Sequence, residues 1–176
     1  YFPTVSLVRK AEPHHPVRIY GGEKVGTESG SDQIVIFISE FQPPPNLVYP
    51  IANTILDWVQ EQKCNMLIAP EGLILEENED RKRATVYGVG STPRARELLE
   101  KNGISLFMEG VITGVAGVLL NEGKRREFDI ISLLAEARPN LPDARAAGSV
   151  IEAIDKIVLH IKFDATPLYR EAQHIE

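Results

Sequence analysis

At 176 residues and 43% hydrophobic content, the chain is long enough for one ordinary α/β domain and too short for two of the usual size. Its 19 basic and 25 acidic residues leave a net charge of −6 and a pI of about 5.3, which argues against a sequence-independent grip on nucleic acid or on an anionic membrane. A single cysteine, Cys64, excludes an internal disulfide framework and a cysteine cluster for zinc, so a reducing cytoplasm is the expected compartment; no apolar run nears the roughly 20 residues that a membrane helix needs.

In chain order, Tyr1 to Arg9 and Val17 to Tyr20 read as short strands around a Pro13-His14-His15-Pro16 turn, and Gly21 to Ser31 reads as a loop. Ile34 to Ile38 is a continuous β-branched and aromatic run, the pattern of a strand buried on both faces of a parallel sheet. After Pro43-Pro44-Pro45, the spacing of Val48, Ile51, Ile55, Trp58 and Val59 predicts a helix that Asn46 caps and that stops near Lys63. Met66 to Ala69 is a short strand, the charged stretch Glu76 to Arg83 a solvated loop, and Thr85 to Tyr87 a further strand. Thr92 and Pro93 open a helix that Lys101-Asn102-Gly103 closes, followed by a strand over Ile104 to Met108. Residues 112–126 are helical in pattern and Phe128 to Leu134 is a buried strand. Asn140 to Lys162 reads as the longest helix, with Asn140 and Asp143 as a capping pair, and Thr166 to Ile175 as a short last helix. Strands alternating with helices predict a doubly wound α/β fold, with a mostly parallel sheet flanked by helices.

Glu40, Glu71, Glu109 and Glu136 each close one of four successive strands. Strand ends border the usual ligand crevice of an open α/β sheet, so these acids could share a site; equally, each could serve the positive end of a following helix. Gly88, Gly90, Ser91 and Thr92 join a strand to a helix start and could turn amides toward an anion, but the third glycine of a dinucleotide fingerprint and the Walker lysine are absent. Gly110, Gly114 and Gly117 match neither pattern; close packing is the first reading for them, with anion binding as the alternative, and Gly110 and Gly114 join the four acids and Gly88 to Thr92 as candidates for the ligand cleft. His14 and His15 are adjacent rather than four apart, so no metal site is expected there, and Cys64, next to a helix C-terminus, has no reason to be a nucleophile. No catalytic residue and no cofactor is predicted. In the long helix, Val150 and Ile157 widen the apolar surface beyond one stripe; with Ile161, Leu168, Tyr169 and Ile175 they are candidates for a protein interface, core packing being the other reading.

The segment Glu109-Gly110-Val111-Ile112-Thr113-Gly114-Val115-Ala116-Gly117-Val118-Leu119-Leu120, with Leu133-Leu134-Ala135-Glu136 and Leu141-Pro142-Asp143-Ala144-Arg145-Ala146-Ala147, resembles the proteasome assembly chaperone family, prokaryotic members above all. Phe2-Pro3 and Pro16-Val17-Arg18-Ile19-Tyr20 are similar to the family's early strands. The resemblance implies a fold like that of nucleoside phosphorylases, no established catalysis, self-association into a homo-oligomer, and binding to the α subunits of the 20S proteasome core particle during assembly. Family members begin with a strand and a Gly-x-Pro-Gly-x-Gly-like loop not found here, so residues 1–176 are expected to form a single α/β domain without that first part. Some archaeal members end in a hydrophobic-Tyr-any-residue tail; His174-Ile175-Glu176 lacks the tyrosine. From the residues alone, the rival reading is a nucleotide- or nucleoside-binding or hydrolysing protein with its site at the strand ends.

Overall fold

The computed structural model describes residues 6–25, 32–74, 83–139 and 142–174. Two antiparallel hairpins come first. Strands β1 (Leu7–Arg9) and β2 (Glu12–His14) reverse at Lys10 and Ala11, both left-handed, so the turn lies ahead of Pro13-His14-His15-Pro16 and His14 belongs to a strand. β3 (Val17–Val25) pairs with β4 (Asp32–Ser39) and continues past Tyr20, with the ladder irregular between Gly21 and Lys24, where a glycine-rich stretch accommodates a bulge. β4 is therefore antiparallel rather than parallel, and Ile36 and Ile38 are exposed rather than buried on both faces.

Helix α1 (Pro45–Glu61) starts from Pro44, with Pro45 preset for the first turn; Asn46 lies inside the helix and no side chain caps it. Ala52, Leu56 and Val59 form its buried face. β5 (Leu67–Ile74) and β6 (Val86–Gly90) flank the undescribed residues 75–82, on which most of the predicted charged loop falls. α2 (Pro93–Lys101) begins as predicted at Thr92, whose hydroxyl accepts from the Ala95 N–H at 3.0 Å, and ends at Gly103 with a φ of 70° that suits glycine. β7 (Ser105–Leu106), α3 (Gly114–Arg125) and β8 (Ile130–Ala137) follow. α4 (Ala144–Ile154) runs into a π-helical turn, Asp155–Leu159, that stops at left-handed His160; α5 (Thr166–His174) is the last element. Asp143 caps α4 through the Ala146 N–H at 3.0 Å, Asn140 lies outside the described residues, and α1, not this helix, is the longest.

The main sheet has the order β5-β8-β6-β7. Two of its three pairings, β5 with β8 and β6 with β7, are parallel, and β6 runs antiparallel to β8. Helices cover both faces, so the mostly parallel α/β architecture stands. Ile131, Leu133 and Ala135 pack with Ala95 and Leu99 of α2 and Ala146, Val150 and Ala153 of α4; Ile130 packs on the opposite side with Ala52 and Leu56 of α1 and Leu119 and Leu120 of α3. Leu56, Leu99, Ile130, Ile131 and Leu133 are fully buried, each removal from water contributing about 2 kcal/mol. Ser132 sits among them at the middle of β8, also fully buried, and its hydroxyl has no hydrogen-bond partner. The β3–β4 hairpin is not hydrogen-bonded to this sheet among the described residues; the Phe37 ring meets Trp58 of α1 edge-on at 5.1 Å.

Candidate functional site

The antiparallel course of β6 decides where the candidate ligand residues fall. Gly90 lies beside Ile131 and Val86 beside Ala135, so the end of β6 that carries Ser91 and Thr92 is at the start of β8. Glu71, opposite Leu134, and Glu136, opposite Leu73, are near the other end of the sheet. The ten candidates therefore do not converge on one crevice. Glu71 and Glu136 are also inside β5 and β8 rather than after them, and Gly88 and Gly90 are strand residues rather than a loop.

Each group has local work. A β-carbon on Gly88 would come within 2.5 Å of the Leu99 side chain, and one on Gly90 within 2.7 Å of the Arg96 backbone nitrogen, so these glycines let α2 lie close against the sheet. Ser91 ties β6 to β8: its hydroxyl donates to the Phe128 carbonyl at 2.7 Å and accepts from the Ile130 N–H at 2.8 Å. Thr92 donates to the buried Asp129 carboxylate, which Arg94 also approaches at 3.3 Å. Glu40 is held by Arg18 and, at 2.9 Å, by Arg9, and the Arg18 guanidinium keeps its carboxyl below the usual range. Glu136 accepts from the Tyr87 hydroxyl at 3.2 Å, and the Tyr87 ring stands at 62° to Phe107, centroids 6.3 Å apart. Partial desolvation pushes the Glu71 carboxyl up. Glu109 is exposed on the segment after β7, where Gly110 has a φ of 155° and a β-carbon would strike the Phe107 ring at 2.4 Å; Gly114 opens α3 with a φ of 69°. Among the described residues no group of three or more His, Cys, Asp or Glu could hold a metal ion.

The candidate interface divides as well. Val150 and Ile157 are core residues, because α4 is covered by the sheet on one side and α5 on another, which explains its broad apolar surface without a second protein. Tyr169 docks α5: its ring lies 3.0 Å from where a β-carbon on Gly148 would be, with the Arg83 guanidinium 5.5 Å from its centroid. Leu168 is half-buried on the same helix, Ile161 is exposed, and Ile175 lies outside the described residues. Met108 and Val111, which are not among the predicted interface residues, are 81% and 87% exposed, the most exposed of the large apolar side chains among the described residues. Apolar residues flanking Glu109-Gly110, beyond the end of a strand, were the available signal.

A model of the PAC2 family matches residues 1–176. The chain belongs to the PAC2 family. Among solved structures it is similar to Pyrococcus furiosus PbaA, described as an archaeal homolog of proteasome-assembly chaperone, with 30% identity and a TM-score of 0.84 over 99% of this chain and 68% of that one. Pyrococcus furiosus PbaB, described as an archaeal proteasome activator, shares the PAC2 fold at 24% identity and a TM-score of 0.79, over 99% of this chain and 75% of that one. An uncharacterised protein of Methanocaldococcus jannaschii is 26% identical over 174 residues; the match takes in 98% of this chain and spans 66% of the relative's length. The resemblance to proteasome assembly chaperones noted in Glu109 to Leu120 is thus met by the family and by its structural neighbours. Among the described residues no helix is long and apolar enough to cross a membrane.

Proposed function

We propose that this PAC2 chain is a non-catalytic, self-associating protein that binds α subunits of the 20S proteasome core particle while they assemble. The observation that carries the reading is the similarity to PbaA along 99% of the chain at a TM-score of 0.84. The geometry agrees with a protein ligand better than with a small one. Ser91 and Thr92 are consumed in joining β6 to β8, Glu40 is neutralised by two arginines, and Gly88 and Gly90 face packed side chains and backbone. Met108 and Val111, by contrast, offer apolar area to an incoming surface, as interface centres do.

Native mass spectrometry of the chain mixed with archaeal-type α subunits tests it. A complex at micromolar concentration is expected, and its absence overturns the reading.

A further inference from the structure

We propose that Asn102-Gly103, at the end of α2, is a site of spontaneous and irreversible modification that the fold holds closed and that opening of the last helical turn releases. Asn102 is the one asparagine in the chain that a glycine follows. In such a pair the nitrogen of the second residue can attack the side-chain carbonyl carbon of the first, and glycine, having no β-carbon, hinders the approach least. A bond forms between the Gly103 nitrogen and Asn102 Cγ, the Cγ–Nδ2 bond breaks, and the amide leaves as ammonia with the proton from the Gly103 N–H. Water then opens the five-membered succinimide at either carbonyl. The product is aspartate, or isoaspartate with the main chain rerouted through the side-chain carbon. Gly103 is exposed and Asn102 half-buried, so water reaches the pair.

The native turn blocks each part of the reaction. Ring closure needs the Gly103 nitrogen nearly eclipsed with Asn102 Cβ about the Cα–C bond, whereas a φ of −94° and a ψ of 9° at Asn102 turn the two apart. The attacking N–H is committed to the Glu100 carbonyl at 3.0 Å, and the departing Nδ2 donates to the Leu98 carbonyl at 2.9 Å. Behind the turn, the Ile104 N–H donates to the Leu99 carbonyl at 3.0 Å, and both side chains are buried. Reaction therefore waits for the end of α2 to unwind. Conversion in turn loosens that end. A carboxylate there adds negative charge at the negative end of the helix and no longer donates to Leu98, and isoaspartate lengthens the main chain ahead of Gly103, which displaces its N–H from Glu100. The mark is one-way and records how often the turn has opened.

Peptide mapping by mass spectrometry, with isoaspartate detection, during incubation of the whole chain at mildly alkaline pH tests the site. A one-dalton gain should appear first in the peptide that carries Asn102, at least about tenfold more slowly in buffer than in denaturing urea. Ile104→Val, which thins the packing behind the turn and keeps the fold, should speed conversion in buffer severalfold and leave the rate in urea unchanged. Asn102→Gln should remove the signal. Asn102→Asp, the product made directly, should lower Tm by about 3 °C. Equal rates in buffer and urea, no gain at Asn102 in urea, wild-type pace for Ile104→Val in buffer, or an unchanged Tm for Asn102→Asp overturns the proposal.

Discussion

Asp143 accepts a hydrogen bond from the Arg145 guanidinium at 3.1 Å, and both side chains are almost wholly buried. The same oxygen takes the Arg138 N–H at 3.1 Å while the other caps α4 through Ala146. Burial alone would raise the Asp143 carboxyl, but Arg145 and the two backbone donors outweigh it and hold the carboxyl below its ordinary value of 3.8. A lowered folded value means that this group's stabilisation is present above about pH 4 and is lost as pH falls through the folded value. Urea midpoints at pH 7 and pH 3 should therefore differ less in Asp143→Asn than in the wild type. Asp143→Ala should cost about 3 kcal/mol at pH 7, since it removes a cap and leaves a buried guanidinium without its carboxylate. An unchanged acid arm in Asp143→Asn would contradict this.

Two glycines face backbone that cannot move aside. A β-carbon on Gly90 would lie 2.7 Å from the Arg96 nitrogen, and one on Gly117 would lie 2.3 Å from the Ile112 carbonyl oxygen. Gly90→Ala and Gly117→Ala should each destabilise the fold by about 3 kcal/mol, whereas Gly21→Ala, with nothing within 4 Å, should be near neutral. Equal denaturation midpoints for all three would refute the packing role.

Arg126 fastens α1 to α3. Its guanidinium donates to Asp57 at 2.6 Å, Gln60 at 2.9 Å and Asn53 at 2.6 Å, and approaches Glu122 at 3.5 Å. Arg126→Ala should lower Tm by about 5 °C, and Lys124→Ala, exposed on the same turn, should leave it in place. Matching melting curves for the two variants would show that the network adds nothing.

If the strand ends hold no nucleotide site, a thermal-shift panel of nucleosides, nucleotides and divalent cations should move Tm by less than about 1 °C. A saturable, concentration-dependent rise that Glu136→Gln abolishes would reopen the small-molecule reading.

The sequence was informative where local chemistry decides the outcome. Thr92-Pro93 starts α2 and Lys101-Asn102-Gly103 ends it because capping and a left-handed glycine act within a few residues. The apolar run after Phe128 became β8, the most enclosed strand, for the equally local reason of its composition. Strand direction was hidden. Nothing within Val86–Gly90 reveals that it runs opposite to β8, and that reversal separates Ser91 and Thr92 from Glu71 and Glu136. Gly88 and Gly90 read as a loop because glycine usually signals one; here the close approach of α2 requires them in a strand. Val150 and Ile157 suggested a docking face because a helix covered on two sides has the same wide apolar pattern as one awaiting a partner.

The unpartnered hydroxyl of Ser132 has a further consequence. A buried polar atom that gives up water without a replacement lowers stability, and here it does so in the middle of β8, between the fully buried Ile131 and Leu133. Ser132→Ala should raise the urea midpoint, a gain of about 1 kcal/mol from deleting a single oxygen. The sequence has therefore not exhausted its own capacity for robustness, and an engineer seeking a hardier version could begin inside β8 rather than on the surface.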